Sequence, residues 1–378
     1  MPQEPTAAIT EHFSELEDPR VDRTKRHELL DILVIAICSV ICGADSWVDV
    51  ALFGNAKLNW FKTFLELPHG IPSHDTFGRV FARLNPEEFQ RCFWAWIQTV
   101  ADLTRGQVVA IDGKTLRRSH DKYLGKDAIA MVSTWASANH LVLGQLKVNE
   151  KSNEITAIPQ LLRMLALSGC IVTVDALGCQ PEIAETIVNQ EADYVLAVKE
   201  NQGRLHEDIQ QLFAGAQEVG FHQVAHDYHK SVEKGHGRIE IRQCWTISEA
   251  EFLHYLRGWE RWKGLQTLAR VRAERRSRKE TTVETRYFIT SLACNAKQVL
   301  TAARRHWGIE NSLPWVLDIA FREDESRVRK DNAPQNFAVL RHIALNRLKQ
   351  DKTAKCGIKS KRLLAGWDET YLLKLLFG

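Results

Sequence analysis

Val108-Val109-Ala110-Ile111-Asp112-Gly113-Lys114 is an apolar run that ends in one carboxylate and then a glycine. A Val/Ile/Ala run without polar alternation is the pattern of a strand covered on both faces, and a glycine lets the chain turn sharply after it. Asp112 is therefore expected at the carboxyl end of a buried strand. The pattern returns at Ile171-Val172-Thr173-Val174-Asp175-Ala176-Leu177-Gly178. Side by side, two such strands would converge two carboxylates at the sheet edge where ligands collect, an arrangement suited to a hard divalent cation. Taken singly, either aspartate reads better as a turn residue or helix cap.

The elements that follow give these strands a context. Strands are expected at 130–137 and 140–148, joined by Ala138-Asn139, then a helix capped by Ser152 or Asn153 with Ile155, Ile158, Leu161, Leu162 and Leu165 on its apolar face. The Asp175 strand comes next, then a helix over 181–190 and a strand from Tyr194 to Val198 that ends in Lys199. Three strands, helix, strand, helix, strand is the ribonuclease-H-like order. Right-handed crossovers would set the Asp112 and Asp175 strands adjacent and parallel.

Such a core asks for a third carboxylate on a later helix. The interval from Lys199 to Tyr287 has few helical signals at its centre, and Gly235-His236-Gly237-Arg238 reads as a turn between strands. Arg261 to Lys279 carries eight basic residues against the single acid Glu274, either a solvated face or a strand pair facing phosphates. The interval is expected to be an insertion. Tyr287 to Ser291 then returns as a strand, and 296–311 reads as a helix with Arg304, Trp307, Glu310 and Asn311 on one side. Pro314 is expected to kink it or force a restart.

The first hundred residues read as a separate helical unit. Leu29 to Val40 has the spacing of a core helix, and Ser73 is placed to cap a short helix carrying His74, Thr76 and Arg79, compatible with a recognition helix or with a plain bundle helix. Thr104 to Gln107 reads as a linker. The 378 residues, 44% hydrophobic and 26% charged, describe a globular chain long enough for two or three folding units. With a net charge of only +3, attraction to nucleic acid would have to come from charge distribution. Eight scattered cysteines without a CxxC pair, and no signal peptide, point to a reducing cytoplasm and no membrane. His222, His226 and His229 fall at helical spacing but lack a fourth zinc ligand. Arg341 to Arg362 holds eight basic residues against Asp351 and reads as a basic tail suited to phosphates.

Arg304-Arg305-His306-Trp307-Gly308-Ile309-Glu310-Asn311, taken with Ala110 to Lys114, Glu150 to Ile155, Thr173 to Ala176, Gly70 to Val80 and Asp318 to Asp324, closely resembles the H-repeat-associated insertion-sequence transposases. Each motif alone is weak, and the ordered set covers nearly the whole chain. The resemblance implies a DDE recombinase: a ribonuclease-H-like mixed sheet with flanking helices, a mostly β insertion before the catalytic glutamate, and an N-terminal helical domain. In this chain that places a helical DNA-binding domain at 1–104 and a catalytic domain at 105–378, with the core over about 106–200 and 286–350 and the insertion over about 201–285.

The implied triad is Asp112, Asp175 and Glu310, holding two Mg²⁺ ions, with Mn²⁺ as a substitute. Lys114, Arg117, Arg118, Lys199, His236, Arg238, Arg304, Arg305, Trp307, Asn311, His74 and Arg79 are the candidate DNA contacts. The expected partners are double-stranded DNA, as terminal inverted repeats and target, and a second copy of the chain on paired ends. A nuclease without joining activity and a silent DNA-binding descendant are the rival functions. The chain departs from related transposases, which carry Tyr, Arg and Lys seven before, four before and seven after the glutamate, where Ala303, His306 and Leu317 stand here. Arg304 or Arg305 is the candidate replacement for that arginine.

Overall fold

A computed structural model describes residues 11–100, 105–119, 128–148, 154–222, 224–235 and 237–377, without the side chains of Thr24, Val100, Glu310, Asn311, Ser312 and Phe377. His236 and the expected caps Ser152 and Asn153 lie outside the described residues. The chain begins with helices α1 (Leu29–Ile41), α2 (Trp47–Ala56), α3 (Leu58–Phe61), α4 (His74–Arg83) and α5 (Pro86–Val100). Helix α1 is apolar and buried almost all round, the mark of a helix inside a core. Ser73 caps α4 as expected, its hydroxyl accepting from the Thr76 amide at 3.3 Å.

Strands β1 (Val108–Leu116), β2 (Ile129–Ala136) and β3 (Leu141–Lys147) form an antiparallel meander. They are followed by α6 (Glu154–Arg163), β4 (Ile171–Val174), α7 (Pro181–Asn189) and β5 (Asp193–Val198). Both crossover strands lie parallel where the sequence put them, β4 beside β1 and β5 beside β4. Helix α8 (Gly203–Glu218) then leads into β6 (His226–Gly235), β7 (Arg238–Ile247), the short α9 (Ala250–His254), β8 (Thr267–Arg276) and β9 (Thr281–Thr290). Among the described residues one mixed sheet runs in the order β3-β2-β1-β4-β5-β9-β8-β7-β6. The region expected as an insertion thus continues the sheet. β9 carries the join, pairing with β5 through its last residues and with β8 along its length.

Three features differ from the sequence reading. Helix α10 (Ala296–Phe321) passes Pro314 without a break. Proline removes the bond to the Glu310 carbonyl one turn back, but Leu313, Val316, Leu317 and Phe321 are buried and hold the helix in place. The supposed basic tail is folded, as α11 (Ala333–Gln350), α12 (Ile358–Trp367) and α13 (Glu369–Phe377). Arg341, Arg347, Lys361 and Arg362 are buried there, with guanidinium groups over Phe337, Trp96 and Phe321 at 4.5, 4.8 and 4.1 Å. Finally, the first hundred residues do not stand apart, because α11 packs against α1, α4, α5 and β3. Asn346 accepts from and donates to the backbone of Val142 at 2.9 and 2.8 Å, so α11 covers the free edge of β3. His226 and His229 lie on a strand, where their spacing sends them to opposite faces.

No described helix is long and apolar enough to cross a membrane. The eight cysteines are free, four of them buried.

Candidate active site

β1 and β4 run parallel, with Ile111 opposite Val174. The next residues, Asp112 and Asp175, leave that pairing side by side, and both are half-buried. β1 does not turn at Gly113 as its sequence suggested. It continues to Leu116 against β2, with Asp112 opposite Ser133. The glycine has a different use, since a Cβ there would collide with the Glu154 carboxylate. Asp175 also fills the turn role foreseen for it, its Oδ1 accepting from the Gly178 amide at 3.1 Å.

Glu154, the first residue of α6, is a further acid at the candidate site, with its carboxylate against Gly113. Burial raises its pKa, and the negative charge of Asp175 raises it further. The signal available in the sequence was a glycine directly after a candidate catalytic acid, the mark of something approaching closely. Position 310 lies on α10, which packs across β1, β4 and β5. Among the described residues no three acidic, histidine or cysteine side chains form a ready metal cage.

His306, in the slot where related transposases carry arginine, is 7% exposed and meets the Thr173 hydroxyl through Nδ1 at 3.1 Å. Burial pushes its pKa down to about 4, against the pull of Asp175, so the ring is neutral at pH 7. Beside β1, Lys114 reaches Asp318 at 2.6 Å and Glu323 at 2.9 Å. Burial opposes its charge, but Glu323 and Asp318 outweigh that and hold its pKa above the ordinary value. Glu323 is buried and also faces Arg341 at 3.6 Å.

The candidate DNA contacts therefore separate into two groups. Lys114 is committed to this internal network, Arg304 pairs with Glu233 across to β6, and Arg238 pairs with Glu240 at 2.7 Å. Trp307 is half-buried, with the Arg286 guanidinium 4.6 Å above its ring. Arg117 is exposed although it reaches Asp324 at 3.3 Å, and Arg118, Lys199, Arg305, His74 and Arg79 are exposed. Lys199 lines a cleft of about 650 Å³ that opens beside Asp175, along with His206, Arg286 and Tyr287. His74 and Arg79 line a second groove of about 660 Å³ with Arg327, Arg329 and Lys330, which the sequence reading did not single out. The side chain of Asn311 lies outside the described residues.

The structure is thus a mixed α/β sheet that brings Asp112 on β1 next to Asp175, the residue after β4, with the long α10 packed across these strands. Comparison with known proteins gives the family. The family model for the transposase DDE domain matches residues 103–347, and the DDE_Tnp_1-associated model matches residues 10–97. Two Escherichia coli relatives, both with "putative transposase" in their names, match nearly end to end. The H repeat-associated YhhI of strain K12 is 40% identical over 379 residues, covering 98% of each chain, and YncI of strain O157:H7 is 38% identical over 371 residues, covering 98% of this chain and 94% of its own. A solved piggyBac transposase synaptic complex with hairpin DNA aligns at 11% identity and a TM-score of 0.41, covering 98% of this chain and 81% of that one. The chain belongs to the H-repeat-associated insertion-sequence transposases, a DDE-type family.

Proposed function

We propose that the chain cuts DNA at the ends of an insertion sequence and joins those ends to target DNA, with Asp112, Asp175 and Glu310 as its catalytic acids. The observation that carries this reading is the juxtaposition of Asp112 and Asp175 on parallel strands beneath the helix that bears position 310. The order β3-β2-β1-β4-β5, antiparallel in its first three strands and parallel after, supports a ribonuclease-H-like core. The donor chemistry fits a divalent cation. Asp112 and Asp175 offer only oxygen ligands, the preference of Mg²⁺ and Mn²⁺, and the charge of Asp175 reaches Glu154, whose pKa is raised first by burial and then by that charge. When bound, a pair of such ions would neutralise charge at the scissile phosphate and activate the attacking hydroxyl.

The protein's own part is to hold and orient. Asp112 is fixed within β1, and Asp175, the residue after β4, is held in its turn by the Gly178 amide. Lys199, exposed in the cleft beside Asp175, is placed to bind the phosphates of a strand lying across the acids. The exposed His74, Arg79, Arg327, Arg329 and Lys330 offer duplex DNA a second contact at the far groove. Because two ends must be brought together, the active species is a homodimer on DNA.

The test is nicking and joining of a labelled duplex carrying the element's terminal repeat, with Mg²⁺ or Mn²⁺, comparing the unsubstituted protein with Asp175→Asn. Metal-dependent joining that falls by about a thousandfold in the variant is expected, the loss of several kcal/mol of transition-state stabilisation. Cutting without joining would replace this reading by a nuclease. Specific binding without cutting under either metal would replace it by a silent DNA-binding descendant.

A further inference from the structure

His306, Glu310, Pro314 and Asp318 follow one another at intervals of four and so form a single row along α10. The two ends of that row are tied to different strands. His306 meets Thr173 of β4, and Asp318 meets Lys114 of β1. Strand alternation gives these ties their meaning. Ala110 lies opposite Thr173, and Asp112 and Lys114 follow Ala110 by steps of two, so both ties are made on the strand face to which Asp112 belongs. The row spans roughly 18 Å, with position 310 inside it.

We propose that His306 is a positioning residue that, through Thr173, fixes the register of α10 on β4 and so places position 310 against Asp112 and Asp175, with Lys114 and Asp318 as the second pin. This rests on the transposase reading of the site. The inside of the row needs such support. Pro314 leaves the Glu310 carbonyl without its usual helical donor, so the helix is least restrained by its own bonds where its catalytic residue stands. The buried Leu313, Leu317 and Phe321 hold the helix against the sheet, and directional bonds add a defined register to that packing; the His306–Thr173 bond is buried on both sides, at 7% and 1% exposure.

Thr173→Val tests this with almost no change of shape. His306→Leu removes the other partner, and His306→Asn keeps a hydrogen-bonding atom near the place of Nδ1. Each is measured for nicking at saturating terminal-repeat DNA, for DNA affinity, for thermal unfolding, and for Mn²⁺ uptake by the DNA-free protein followed by electron paramagnetic resonance. Thr173→Val and His306→Leu are expected to lower the nicking rate and the Mn²⁺ affinity by ~10–100-fold, the range typical of groups that orient metal ligands. DNA affinity is expected to stay unchanged and His306→Asn to recover most of the loss. If His306→Leu fails to fold, Thr173→Val carries the test. Variants that cut and bind Mn²⁺ as well as the unsubstituted protein would overturn the proposal, as would losses of cutting that only track losses of DNA binding and melting temperature. An unsubstituted protein with no metal-dependent cutting would instead overturn the transposase reading, and this inference with it.

Discussion

Strands β1 to β5 bury most of their side chains, whereas β6 and the far ends of β8 and β9 leave theirs in water. The polar groups of the two regions behave accordingly. Near β1 and β4, Lys114, Glu323, His306 and Thr173 are buried or partly buried and joined to specific partners. On the outer strands, Arg276 with Glu274, Arg286 with Glu284, and Arg304 with Glu233 make ion pairs at the surface. Inner polar groups are costly to disturb because they have no water to fall back on, while outer ones exchange a carboxylate for solvent at little cost. Glu274, the one acid of the basic run, serves both Arg272 and Arg276. The difference predicts unequal consequences for similar substitutions.

The largest effect is expected from Lys114→Met. It leaves the buried Glu323 with Arg341 as its remaining cation, and should cost about 3–5 kcal/mol in denaturant unfolding. A loss of only surface size would place Lys114 with the outer group and restore it as a free phosphate contact. A smaller effect follows from pH. Burial pushes His306 and His342 down to about 4, so between about pH 6.5 and 4 the unfolded chain binds protons that the folded chain refuses. Stability should therefore fall as pH drops through that window, by at least about 1 kcal/mol, and His342→Leu should flatten the decline. A melting temperature that holds steady from pH 6.5 to 4 would contradict the neutral burial of both rings. The smallest effect is expected from Arg304→Ala, whose half-exposed pair with Glu233 should be worth about 0.2–1 kcal/mol. A larger cost there would erase the distinction between the two halves.

What the sequence made legible follows the same division. Unbroken apolar runs located β1, β4 and β5, and the Gly235–Arg238 turn located the β6–β7 hairpin, because each is a local pattern. Helix α8 was missed because its buried residues Leu205, Ile209, Phe213 and Ala216 form a thin stripe in a polar segment. The buried cations of α11 and α12 lie in the stretch whose sequence reads as a basic tail suited to phosphates. Some of their partners are far away in sequence, as when Arg362 donates to the Val40 carbonyl at 2.9 Å and Arg347 lies over Trp96. At the candidate site, the apolar runs before Asp112 and Asp175 located β1 and β4, although β1 runs on past Asp112 to Leu116, while the ties of Lys114 and His306 depend on how α10 crosses the sheet. No local pattern reports a crossing angle.

The proposed role of Asp112, on β1, and Asp175, just past β4, as the catalytic acids is tested most directly by Mn²⁺ titration of the DNA-free protein, followed by electron paramagnetic resonance, for the unsubstituted chain and for Asp112→Asn and Asp175→Asn. Uptake by the unsubstituted chain that weakens at least ~10-fold in each variant is the expected result, since both carboxylates would be ligands. Equal uptake by all three would contradict it, and would move the metal site away from the paired strands.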